Sequence, residues 1–244
     1  MADALVSLRR QLRADVERWI ATGARPQSPL GRRVHVQALG EQQVLRRLIA
    51  HPRLAGNVTR RLPSAVGRRV KRHVAIGGRV RALIDPIEPP ITLKTTEPLS
   101  PNRLMSIFKR VGRRHGIDWE ILASVNFVES RFGRAIGSSP AGAIGPMQFL
   151  PSTWDAYGRG GDIRNPRDAI PAAARLLDAT GAPEDMRAAL FAYNHSDAYV
   201  DAVLTYARDM KADVRNYYTY WCWEIFIRTT EGEVQLTGPG GRRP

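Results

Sequence analysis

One cysteine, Cys222, stands among 244 residues, so no disulfide can close within the chain. Histidine is scarce as well, five in all, and no Cys/His grouping has the spacing of a zinc site. Neither a metal nor a cofactor is expected. Long apolar runs are also missing. The longest uncharged stretch, 135–154, is broken by glycine and proline. It falls short of the roughly 18 consecutive apolar residues that suggest a bilayer span, which predicts a soluble chain with no transmembrane segment. The start, Met1-Ala-Asp-Ala-Leu-Val-Ser-Leu-Arg9, lacks the basic end, apolar stretch and small-residue cleavage site of a signal peptide. A trimmed leader, another export route and no export at all stay open.

Acidic residues are few in one part of the chain only. Residues 1–99 hold 19 Lys+Arg against 7 Asp+Glu, while the remaining residues hold 18 against 16, within a net charge of +14. A basic arm of this kind favours polyanions. With 43% hydrophobic residues there is ample material for a core.

Apolar residues at helical spacing predict three N-terminal helices, on Leu5 to Trp19, Val44 to Ile49 and Val66 to Ile84, in a basic helical region spanning 1–84. Five prolines between Asp85 and Pro101 forbid a regular helix and predict an extended linker over 85–101. A second helical domain is expected over 102–212, with helices from about 102 to 115, through Glu129, from Pro146, after Pro151, and three more over 166–212. The rest, 213–244, reads as a β-hairpin within Tyr217 to Leu236, followed by a frayed Gly-Pro-Gly-Gly-Arg-Arg-Pro tail.

Glu129 is the main candidate for chemistry. Ile117, Ile121, Val125 and Val128 form a helical stripe, and Glu129 sits at its edge. Partial desolvation there raises a carboxyl pKa toward the range of a general acid. Between 130 and 161 only Asp155 is acidic. Inverting glycosidases need a second carboxylate about 6.5 to 9.5 Å away, and ordinary retaining ones need it at about 5 to 5.5 Å.

Glu129-Ser130, Gly142-Ala-Ile-Gly145-Pro-Met-Gln148 and Ala192-Tyr-Asn194, in this order and at these separations, resemble the signature blocks of the lytic murein transglycosylases. The resemblance covers about 102–212 and mixes features of the soluble branch and the membrane-bound B-type branch. It implies a mainly α fold: a lysozyme-like helical catalytic domain of the goose type, here with an N-terminal helical arm and a short C-terminal β-hairpin. It implies Glu129 as sole catalytic acid/base, Ser130 and Tyr193 as its orienters, and Met147, Gln148 and Asn194 as substrate-binding residues. The implied substrate is the glycan strand of peptidoglycan, cleaved to 1,6-anhydro ends, and the implied location is the cell envelope or outside the cell.

Plainer readings stand beside these. Gln148 also fits a loop-tying amide, Met147 a core residue, Tyr193 a donor to a buried carbonyl, and His195 a loop hydrogen-bonder. Asp162, in Gly160-Gly-Asp-Ile-Arg-Asn165-Pro, reads first as a turn residue and is the candidate second carboxylate for a water-using muramidase. The arginine-rich arm reads as solvated helix faces or as an attachment to anionic wall polymers; a nucleic-acid-binding protein is the disfavoured rival.

Overall fold

The computed structural model describes residues 1–239 and 241. The expected fraying of the closing residues falls mostly on 240 and 242–244, outside the described residues. Four helices come first: α1 (Ala2–Ala21), α2 (Pro29–Ala50), α3 (Pro52–Arg60) and α4 (Ser64–Ala82). They are followed by α5 (Pro101–His115), α6 (Trp119–Ser130), α7 (Pro151–Tyr157), α8 (Pro166–Ala179), α9 (Met186–Tyr193), α10 (Asp197–Ala212) and α11 (Arg215–Trp221), then β1 (Phe226–Thr229) and β2 (Gly232–Gln235). The protein is mainly α with a short C-terminal hairpin, as the sequence predicts.

The chain forms two compact units. The first joins Met1–Asp85 to Asp213–Trp223, and the second joins Pro86–Ala212 to Glu224–Pro244.

In the first unit the middle stripe belongs to a helix far longer than Val44 to Ile49. Ser28 caps it by accepting from the Gly31 amide, and Pro29 occupies its first turn. Pro52 then forces a break, because the residue before proline avoids helical backbone; His51 sits at φ −129 and ψ 81, and α3 begins afresh. Leu5, Leu12, Val16 and Trp19 of α1 are buried, as are Val34, Ala38, Leu45 and Leu48 of α2. Glu41 is buried too, paired with Arg9 and with Arg69 at 3.2 Å. Burial would push its carboxyl up, but the two guanidiniums outweigh that and hold it below the usual range. Arg69 also donates to the Tyr220 hydroxyl at 2.9 Å, and that hydroxyl lies 3.2 Å from His73 Nε2.

Tyr217 to Trp221 are helical, not the first hairpin strand. Their aromatic rings are buried in the first unit, Tyr218 edge-on to Trp19 at 5.9 Å, and such burial overrides β-propensity. The hairpin itself is limited to β1 and β2, with Phe226 opposite Gln235 and Thr229 opposite Gly232.

In the second unit α6 is the central element, packed by α5, α8 and α10. Residues 120–127 are all buried, with Glu120, Ser124 and Asn126 the polar members of a mostly apolar run. The 85–101 segment holds no helix before Pro101, but it is docked: Ile87 bridges Thr229, and Thr95 bridges Ala135. The helix expected from Pro146 does not form. Gly145 (φ 80) and Gln148 (φ 48) are left-handed, and Ile144 and Phe149 exchange backbone hydrogen bonds of 2.8 and 3.0 Å around a tight turn. No helix among the described residues is long and apolar enough to cross a membrane.

Candidate active site

Glu129 lies in the last turn of α6, where the helix emerges from the core. The residue is half-buried, yet its carboxyl sits among protein atoms, and burial pushes its pKa up to about 7. Tyr199 of α10 opposes that shift by donating toward the carboxylate. The contact is loose, since the buried Tyr199 hydroxyl makes no hydrogen bond of good geometry. Burial, and then the Glu129 charge, raise both Tyr193 and Tyr199 well above 10, so both rings keep their protons across the working pH range. Their rings stack at 6.3 Å with 6° between planes.

Ser130 is buried and serves the loop beyond it. Its hydroxyl donates to the Pro146 carbonyl at 2.6 Å and accepts from the Gly133 amide at 2.8 Å. Asn126, one turn earlier, donates to the same Pro146 carbonyl at 2.6 Å. These two polar side chains of α6 thus tie the Gly145–Gln148 turn to the helix end that carries Glu129. Gly145 fits because a Cβ there would lie 2.1 Å from the Ile163 carbonyl oxygen.

Tyr193 donates to the Met147 carbonyl at 2.7 Å, which anchors the same turn from α9. Its hydrogen bond therefore goes to a buried carbonyl, and the group facing Glu129 is Tyr199. The Met147 side chain is fully buried, which departs from the expectation of a substrate-binding surface. Gln148 is half-buried and donates to the Gly145 carbonyl at 2.9 Å, so its amide ties its own loop. Asn194 is exposed at the end of α9, and His195 is exposed against the Phe191 ring.

Asp162 is exposed and accepts from the Arg164 amide at 2.8 Å, the geometry of a turn residue. Among the described residues, no carboxylate contributes to the shift of Glu129. The 480 Å³ cavity lined by Asp118, Glu120, Ile121, Leu204 and Lys211 lies at the opposite end of α6 and does not include Glu129. No group of three or more His, Cys, Asp or Glu is gathered as metal ligands among the described residues.

The sequence reading missed Asn126 and Tyr199. Asn126 carries a signal of its own, a lone amide inside an apolar run at the i−4 position from Ser130. Tyr199 does not, because an aromatic residue on α10 is equally at home in a core.

Residues 106–216 match the family described as Transglycosylase SLT domain. The chain is also 33% identical over 112 residues to the membrane-bound lytic murein transglycosylase F of Thiobacillus denitrificans. That stretch is 41% of this chain and 23% of the relative's own length. No solved structure is significantly similar. Three ordered sequence blocks, the helical unit built around α6 and the matched stretch agree: residues 106–216 of this chain are similar to a transglycosylase SLT domain, a helical unit of lysozyme-like fold.

Proposed function

We propose that the chain cleaves the β-1,4 bond between N-acetylmuramic acid and N-acetylglucosamine in peptidoglycan without water, leaving 1,6-anhydro-muramic ends. The observation that carries this reading is the desolvated Glu129 carboxyl, with a pKa of about 7 and no carboxylate acting on it. Near neutral pH such a group is divided between its two protonation states, as a residue that must give and then take a proton requires. Glu129 protonates the glycosidic oxygen as the bond from it to the muramoyl C1 breaks. The substrate's acetamido group stabilises the cation that develops. The C6 hydroxyl then bonds to C1 and returns its proton to Glu129, so the carboxyl ends as it began. Positioning the hydroxyl against C1 exploits proximity, and one well-placed acid/base contributes about 10²- to 10⁴-fold.

Tyr199 is the orienter of Glu129 in this reading. Ser130, Asn126 and Tyr193 hold the turn that carries Gln148 beside it. Glycan strands make the cell envelope the place of action. Exposed Arg25, Arg32, Arg47, Arg53, Arg61 and Arg68 of the first unit support attachment to anionic wall polymers.

Digestion of purified peptidoglycan, with termini identified by mass spectrometry, tests the reaction. Anhydro ends from wild type and none from Glu129→Gln are expected. Reducing muramic acid ends would assign the chain to the hydrolytic muramidases instead. Salt-sensitive DNA binding that is indifferent to Glu129→Gln, with no fragments released, would favour a nucleic-acid-binding protein.

A further inference from the structure

The backbone beyond Glu129 is unusual. Arg131 (φ 53), Phe132 (φ 62) and Gly133 (φ 87) are left-handed in succession, and two of the three carry a Cβ. Such conformations persist only where the surroundings over-determine them. Some of the restraint is local: the Arg131 guanidinium lies 4.3 Å from the centre of the Phe127 ring, and Phe132 is buried against Phe127 and Phe108. Ser130 adds its bond to the Gly133 amide.

The rest of the restraint comes from segments outside the stretch matched to the transglycosylase family. Arg134 is 2% exposed and is paired at 3.4 Å with Glu224, itself 1% exposed, just ahead of β1. On the backbone, the Thr96 amide donates to the Arg134 carbonyl at 2.9 Å and the Ile136 amide to the Lys94 carbonyl at 3.0 Å. The same proline-rich segment is pinned to the hairpin at its other end. The Ile87 amide donates to the Arg228 carbonyl at 3.0 Å, and the Thr230 amide to the Ile87 carbonyl at 3.2 Å. Segments 87–96, 134–136 and 224–230 thus form a closed belt. A buried ion pair fixes geometry because neither charge tolerates losing its partner.

We infer that Glu224, through Arg134 and together with the 87–96 segment, is a positioning residue that holds the strained 131–134 turn and with it the end of α6. The working catalytic unit accordingly extends beyond the family domain to the proline-rich segment and the C-terminal hairpin. The brace itself is independent of the reaction; only its effect on turnover rests on the proposed glycan cleavage.

The test uses the full chain with Glu224→Gln, followed by hydrogen exchange and by kinetics on peptidoglycan. Amides of 131–136 should exchange at least about tenfold faster while those of α8 keep their protection. Turnover should fall about tenfold with KM nearly unchanged, the mark of lost positioning rather than lost binding. Should Glu224→Gln fail to fold, Ile87→Pro, which removes one surface bond of the belt without burying a charge, gives the same exchange readout. Unchanged protection of 131–136 in a folded variant of either kind overturns the inference. If wild type releases no fragments, the glycan-cleaving reading fails while the exchange result still decides on the brace.

Discussion

Tyr199 on α10 and Glu129 on α6 face each other where the two helices pack, and among the described residues Tyr199 alone opposes the burial that raises the glutamate's pKa. A proton donor that favours the carboxylate keeps the acid from becoming too weak to ionise again after it has acted.

Tyr199→Phe should therefore raise the pKa of Glu129. Glu129 must be protonated to start the reaction, so the alkaline fall in kcat/KM, centred near pH 7 in wild type, should move to higher pH. Turnover at the optimum should drop several-fold. A pH profile of fragment release reads both effects.

Stability carries the opposite signature to that of an ordinary paired carboxylate. The folded pKa of Glu129, about 7, lies above its ordinary value of 4.5, so the folded state binds more protons than the unfolded one throughout that window. Stability is lost as pH rises from about 4.5 to 7 and stays lost above it, by at most about 3 kcal/mol. Glu129→Gln should thus melt several degrees above wild type at pH 8 and much closer to it at pH 5, as thermal denaturation will show.

Removing the hydroxyl with Ser130→Ala leaves the Gly133 amide without its acceptor and the Pro146 carbonyl with Asn126. A loss of about 1–3 kcal/mol is expected in urea denaturation. Turnover should suffer more than binding, because the same bonds hold the turn against the end of α6 that carries Glu129.

Gly142 and Gly145 are both left-handed but differ in their surroundings. A Cβ at Gly142 meets nothing within 4 Å, so Gly142→Ala should cost only about 1–2 kcal/mol of backbone strain. A Cβ at Gly145 would overlap the Ile163 carbonyl, and Gly145→Ala should exceed about 4 kcal/mol, enough to unfold many domains. Comparing the two melting temperatures isolates the steric contribution.

Adsorption of the full chain to walls rich in anionic polymer should weaken steeply between low and high salt, since exposed charges are screened over about 10 Å at 0.1 M. Substituting glutamine for Arg47, Arg53 and Arg61 together should flatten that dependence.

The helices of the second unit are legible in the sequence because their signals are local: apolar spacing, and proline at the first turn of α5, α7 and α8. Glu129 stands out in the sequence through the Gly142–Gln148 and Ala192–Asn194 blocks that follow it, since a glutamate at a helix end reads by itself as a solvated side chain. The Gly145–Gln148 turn is not legible there, since proline opens helices and turns alike and the groups that hold the turn, Asn126, Ser130 and Tyr193, lie 16 to 46 residues away in sequence. Aromatic residues 217–221 favour strands by composition, and the partners that make them helical are Trp19 and Arg69, some 150 to 200 residues earlier. Tyr193 and Tyr199 are six residues apart and equally suited to reach Glu129. Only the path of α9 into α10 assigns one to the Met147 carbonyl and the other to the acid.

The Glu41 cluster bears on how the protein comes into being. Arg9, Glu41 and Arg69 come together from α1, α2 and α4, but the Tyr220 hydroxyl to which Arg69 donates is made only after the whole of α5 to α10. The earlier helices must therefore wait, with the Arg69 guanidinium lacking its Tyr220 partner, until α11 has been made, and the part translated in between has the first opportunity to reach its native form.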